Sequence, residues 1–251
     1  MVAAPMSPTL RRPSACRFAL AVAGAALAGS ASAASLQPFA GAGSAPAAPW
    51  TLTGLPGQTK PFTRFSVVEL DGHTALRVEA DSSYGNLVHP LQLEPAPHHL
   101  AWNWRIDEAN PLADIRARET EDIALKVCVL WDMPIEHVPF VERQLLRVAR
   151  SRTAQPVPAA TVCYVWDSQL PVGTELSSPF TGRLRYIVLR SGADAPHHWV
   201  HERRDVAADF DRLFGAESRA LPPLIGVAVG ADADNTRQHS LGHAADLQLE
   251  P

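Results

Sequence analysis

The side chains able to do chemistry in this chain are carboxylates, arginines and histidines, and they fall into a few local groups. The densest is Asp232-Ala233-Asp234-Asn235-Thr236, directly after the apolar run Leu224–Val229. Oxygen donors from Asp232, Asp234 and Asn235 in one loop suit calcium, a hard ion that takes about 6–8 oxygen ligands. The run is not an EF-hand, because it has neither the turn glycine nor the closing glutamate. The competing reading, which we favour, is a turn whose Asp and Asn side chains accept from their own backbone amides.

A second group is spread over several apolar-polar alternations. Asn103, Arg105, Asp122 and Lys126 project from the non-core side if their two strands share a sheet, and Arg190, with Glu202 or Arg203, joins them. Such a face would grip an acidic glycan through guanidinium contacts. The alternative is a solvated face whose charges pair with one another to little effect. For catalysis, Asp122 with Asp167 or Glu202 could serve as the two carboxyl groups of a glycoside hydrolase. No G-x-S-x-G elbow is present. The histidines at 197, 198, 201, 239 and 243 lack an H-E-x-x-H pattern, which argues against zinc. Trp102 and Trp104 share one strand face, and would stack on sugar rings if exposed. Leu100 and Ile106 lie on the same face, so a core position is expected.

Positioning these groups falls to strands. Phe65–Leu70, Asp71-Gly72 and Thr74–Ala80 form an apolar run, a tight-turn pair and an alternating run, the pattern of a hairpin. Further strands are expected at 99–106, 122–131, 160–166, 184–190, 197–203, 224–229 and 245–249. One helix follows Pro139, with Val141, Leu145 and Val148 on one side and Arg143, Arg147 and Arg150 around the other. A second runs from Asp205 as N-cap to Gly215 as its stop. Many strands and two short helices predict a mainly β fold, an antiparallel, jelly-roll-like β-sandwich. Cys128 and Cys163 each fall in an expected strand. They are either a disulfide, if the chain meets an oxidising compartment, or two separate buried thiols.

The N-terminus bounds the setting. Arg11, Arg12 and Arg17, an apolar run over 18–27 and Ala31-Ser32-Ala33 compose a secretory signal peptide with cleavage before Ala34. The apolar run is shorter than the roughly 20 residues a membrane span needs, so no spanning segment is expected. Residues 34–49, rich in Ala, Gly, Ser and Pro, suggest a disordered leader, and 50–251 a single domain in the periplasm or outside the cell. The whole chain carries 22 basic and 26 acidic residues; loss of 1–33 removes three arginines and no acid, leaving a net charge of −7. That balance argues against nucleic acid as a partner.

Several short motifs come in a fixed order: Trp102-Asn103-Trp104-Arg105, Glu121-Asp122, Tyr164-Val165-Trp166, Val188-Leu189-Arg190-Ser191-Gly192, Trp199 through Glu202-Arg203, Asp205-Val206 leading to Phe214-Gly215, and Ala231 through Thr236. In this the chain resembles the bacterial DUF3047 family, a domain of unknown function, over nearly all of its length past the N-terminal segment. It departs from the pattern at Lys126, where Arg is expected, at Asp205, where Asn is usual, and at Arg237, where Gly is usual. The resemblance implies an envelope protein and assigns no reaction. From the residues themselves, the first expectation is a non-catalytic binding module for an envelope glycan or polymer. The rivals are a polysaccharide hydrolase or lyase and a structural component of an envelope complex.

Overall fold

A computed structural model of the chain describes residues 1–3, 35–55, 57–153, 157–192 and 196–250. The expected signal peptide beyond its first residues, with Cys16 and the cleavage site, lies outside them. Two sheets face each other. The larger runs in the order β1 (Thr51–Thr53), β4 (Tyr84–Leu93), β11 (Leu224–Asp232), β6 (Ile123–Trp131), β7 (Ala160–Asp167), β9 (Leu184–Ser191), β8 (Glu175–Ser177). The smaller has the order β10 (Val200–Asp205), β5 (His99–Glu108), β12 (His239–Glu250), β3 (His73–Asp81), β2 (Arg64–Leu70). From β3 to β6, and again from β9 to β12, the chain crosses between sheets at every step. This is the jelly-roll-like weave of a β-sandwich, and pairing is antiparallel except for the parallel β7–β9 pair.

Alternation explains the core. Leu100, Trp102, Trp104 and Ile106 point inward from β5, and meet Leu125, Val127, Val129 and Trp131 of β6 with Tyr164 and Trp166 of β7. Trp102 packs 5.3 Å from Tyr164 and Trp104 5.5 Å from Trp166, centroid to centroid. Both indoles are fully buried, so they stack on core aromatics and offer no sugar platform. The Asp71-Gly72 turn has positive φ at both residues (51° and 84°), as the right-handed twist of a two-residue hairpin demands, and it sets Leu70 opposite His73.

Residues 35–49 are more ordered than their composition suggested. Phe39 and Trp50 are buried 4.6 Å apart, the Trp50 indole donates to the Gln37 carbonyl, and the Gln37 amide donates to His89. Two large aromatics bury enough surface to hold a Gly- and Pro-rich stretch that has little ladder pairing of its own.

The helices divide. In α2 (Val206–Phe214) the Asp205 carboxylate accepts from the Ala208 amide at 2.8 Å, the expected N-cap, and Phe210 and Phe214 enter the core. Helix α1 (Phe140–Ser151) instead turns Val141, Leu145 and Val148 outward, and Leu146 is its buried residue.

Candidate functional site

The larger sheet also has an outer face that is partly dry. Strand alternation sends Lys126, Cys128 and Leu130 of β6 outward, with Thr161 and Cys163 of β7, Tyr84, Asn86 and Val88 of β4, and Ala228 of β11. These residues floor a cavity of about 650 Å³. Its walls are Thr51–Leu55 with Gly57, the C-terminal end of α1 with Arg152 and Thr153, and Thr181–Leu184. That volume falls within the range typical of small-ligand sites, about 300–1,000 Å³. Gly230 stands in register with Asn86 on one side and Lys126 on the other. A Cβ there would lie 2.8 Å from the Gly85 carbonyl and against the Asn86 side chain, so only glycine leaves Asn86 in place.

Cys128 and Cys163 are directly opposed on β6 and β7, and they form a disulfide on the cavity floor. Beside it, Lys126 Nζ donates to Asp232 Oδ1 at 2.8 Å, both side chains being buried, and lies 5.2 Å from the Tyr84 ring centre. Burial pushes the Asp232 carboxyl up to about 7, Lys126 pulling the other way and Asp122 and Glu121 adding to the rise. Burial also works against the Lys126 charge, but Asp232 and Tyr84 more than offset it, holding the ammonium above the usual lysine range. Glu121 accepts from Ser178 Oγ at 2.6 Å and from the Tyr186 hydroxyl at 2.5 Å.

The charged residues lining the cavity are Lys126, Arg152 and Arg183, and no carboxylate lines it among the described residues. Hydroxyls of Thr51, Thr53, Thr153, Thr161 and Thr181, with Tyr84 and Asn86, supply neutral hydrogen-bonding groups. Arg183 is already paired with Glu142 and Glu217. Arg152 is exposed and has no side-chain partner among the described residues.

The structure separates the residues grouped from sequence. Strands β5 and β6 are consecutive but lie in different sheets, so Asn103 and Arg105 face away from one side of the sandwich and Lys126 from the other. Arg105 is buried, paired with Asp107 at 2.7 Å and with Asp71 at 2.5 Å under Trp199, and Asn103 donates to Asp246. Arg190 belongs to neither outer face. A register slip after Val165 sets it opposite the inward Trp166, and from there its Nε donates to Glu202 at 2.7 Å, joining β9 to β10 across the sandwich edge.

The three candidate catalytic acids do not converge. Glu202 is held by Arg190 and by the Trp104 indole at 3.3 Å. Asp167, 1 % exposed, accepts from the Gln169 and Leu170 amides; burial raises its carboxyl against the pull of those amides. Asp122, also fully buried, accepts from the amides of Asn235 (3.1 Å) and Thr236 (2.7 Å) and from the Thr236 hydroxyl (2.5 Å).

That last set of bonds revises the reading of the Asp232–Thr236 loop. The cap comes from Asp122, which immediately precedes β6, and the Asn235 side chain donates to the Arg118 and Glu121 carbonyls. Carboxylate oxygens of Asp122, Asp232 and Asp234 lie within 4.8 Å of one another, so the carboxylates are gathered as a calcium site requires, with Asn235 turned elsewhere. Lys126 sits on Asp232 and Lys60 on Asp234. Two ammonium groups thus supply the positive charge that a cation would bring. Arg237, where the resemblance led us to expect glycine, takes φ = 56°, the left-handed conformation glycine would adopt, and the tight loop is kept.

Tyr84, Asn86, Arg152 and Arg183 escaped the sequence reading. Tyr84 and Asn86 belong to β4, whose inward Leu87, His89, Leu91 and Leu93 did alternate, but Pro90 broke the pattern. Strand β1 pairs only with Asn86–Val88, so the missing Pro90 amide faces the open edge beyond it.

The fold and cavity together define a two-sheet β-sandwich with a ligand-sized site on the outer face of its larger sheet. The chain belongs to the family described as Protein of unknown function (DUF3047), whose model matches residues 48–248. Among solved structures it is similar to the endo-1,4-β-glucanase CelB2 at 13 % identity and a TM-score of 0.40, over 81 % of this chain and 97 % of that one. It is also similar to Trichoderma harzianum endoglucanase 3 from family GH12, at 8 % identity and a TM-score of 0.39 over the same shares. No curated protein matches the chain.

Proposed function

We propose that this protein is a binding module whose cavity takes an acidic glycan or a similar anionic envelope polymer, and that it performs no hydrolysis there. The observation that carries the reading is the cavity's lining: three cations and several hydroxyls, with no carboxylate among the described residues. A glycosidase of the usual kind needs two carboxyl groups flanking the scissile bond. The acids that would have served, Asp122, Asp167 and Glu202, are each committed to loop amides or to an arginine away from the cavity. Exposed Arg152 at the rim supports capture of a carboxylate or sulfate, and buried Lys126 adds positive potential beneath.

The test is a calorimetric titration of acidic and neutral polysaccharides into wild-type protein and the Arg152→Glu variant, with parallel assays for reducing ends and for unsaturated products. The reading expects tighter binding of the acidic polymers, weaker binding by the variant, affinity that falls as salt rises, and no product. Release of either product would make the protein a hydrolase or a lyase instead. Equal affinity for neutral and acidic polymers would remove the role given to the cations.

A further inference from the structure

Helix α1 is held by one side and bare on the other. Its Glu142 accepts from the Gly182 amide at 2.8 Å, the Thr181 hydroxyl at 2.9 Å and Arg183 Nε at 3.2 Å, while Arg150 donates to the Val157 carbonyl and Leu146 is buried. Those contacts fix the helix with its apolar stripe outward: Phe140 and Val141 are each 69 % exposed, Leu145 63 % and Val148 46 %. Phe180, the residue before Thr181, is also exposed, with the Arg118 guanidinium 5.4 Å from its ring centre.

Charge gives the stripe a direction. Exposed Arg147 borders it beside Phe140, half-buried Arg143 lies further round with its Nε buried and without a hydrogen-bond partner, and neither has a carboxylate partner among the described residues. Most arginines elsewhere do, among them Arg64, Arg105, Arg183 and Arg204. The helix's one acid, Glu142, is turned inward and spent on the 181–183 segment. Local positive charge thus flanks an exposed apolar surface on a chain whose net charge is −4.

From this we infer that α1 is an interfacial helix that seats the domain on a bilayer leaflet bearing anionic headgroups. Phe140, Val141, Leu145 and Val148 enter the boundary between headgroups and acyl chains, and exposed Arg147 beside Phe140 meets the phosphates. An exposed apolar stripe with an arginine at its border matches such a surface in both polarity and charge. A second copy of the chain fits less well, because a symmetric contact would bring the same unpaired arginines together. The helix lies on the membrane and does not cross it: its 12 residues extend about 18 Å, against a hydrocarbon core of about 30 Å.

The experiment is cosedimentation of the full chain with vesicles of phosphatidylcholine, with and without phosphatidylglycerol. The basic, apolar N-terminus can itself bind lipid, so variants on α1 decide the outcome. Leu145→Ser and Arg147→Glu should each weaken binding to the phosphatidylglycerol vesicles, the latter by about fivefold for each charge removed. Arg147→Lys should retain it. All three should keep the wild-type melting temperature and the affinity for acidic polysaccharide, which separates this surface from the cavity. Wild-type binding by Leu145→Ser and Arg147→Glu would overturn the inference, as would equal binding to vesicles of phosphatidylcholine alone. A lipid-free dimer that Leu145→Ser abolishes would overturn it too, by giving the face to a second copy.

Discussion

Replacing Cys128 and Cys163 together with alanine should destabilise the domain by about 4 kcal/mol. The two cysteines are separated by 35 residues, a loop that includes all of α1. Chain-entropy arithmetic for a loop of that length gives roughly 13 cal/mol/K, or about 3.8 kcal/mol at 25 °C. A domain of this size loses about 2–4 °C of melting temperature per kcal/mol, so the shift should be on the order of 8–15 °C. The stabilisation acts largely on the unfolded chain, which gives a second readout. Without the cross-link the unfolded state expands, so the denaturant slope m should rise as the midpoint falls. Urea unfolding of wild type and variant, followed by fluorescence of the buried tryptophans, measures both quantities. A drop under about 1 kcal/mol with m unchanged would refute the reasoning, as would thiol titration that finds Cys128 and Cys163 free in the native protein.

Asp232 should make stability depend on pH. Its carboxyl titrates at about 7 when folded and near about 4 when unfolded, so the folded state holds the extra proton across that window. Its contribution therefore falls as pH rises from about 4 to about 7, and Asp232→Asn should flatten that slope in melts taken across it. In the same pair, Lys126→Met removes the ammonium that pulls the Asp232 carboxyl down, so the buried group should keep its proton to higher pH and the fall in stability should extend upward in pH. Adding Asp232→Asn should abolish that fall in melts of the double-mutant cycle. Arg190→Ala should cost about 1 kcal/mol, because its partner Glu202 is 12 % exposed while Arg190 itself is 37 % exposed and screened; polysaccharide affinity should not change in the titration. Arg237→Gly should stabilise by about 0.5–1 kcal/mol in urea unfolding, the relief of a left-handed residue exceeding the entropy that glycine adds to the unfolded chain.

Local patterns were legible where one strand or one turn decides the outcome. The 64–81 hairpin, the inward tryptophans of β5 and the Asp205 cap all follow from spacing within a few residues. Pairing between distant segments was not legible. The alternation of β5, and of β6 from Leu125 onward, gives the correct inward and outward residues, but not that the strands lie in opposite sheets, which is why Arg105 and Lys126 do not share the face that the alternation suggests. Even within β6 the alternation fails at its start. A bulge between Gly230 and Asp232 sends Ile123 to the outer cluster while Ala124 joins the core. Arg190 was turned by a slip of the same kind. The stripe of α1 had the periodicity of a packed helix, and periodicity alone does not say which side meets the protein.

The central claim is that ligand binds on the outer face of the larger sheet. Hydrogen exchange of backbone amides, with and without a saturating acidic polysaccharide, tests it most directly. Protection is expected in the cavity walls, at 51–55, 149–153 and 181–184, with the smaller sheet unchanged. Protection confined to the Asn103 and Arg105 face of β5 and to β10 would contradict the account and return the ligand to the opposite side of the sandwich.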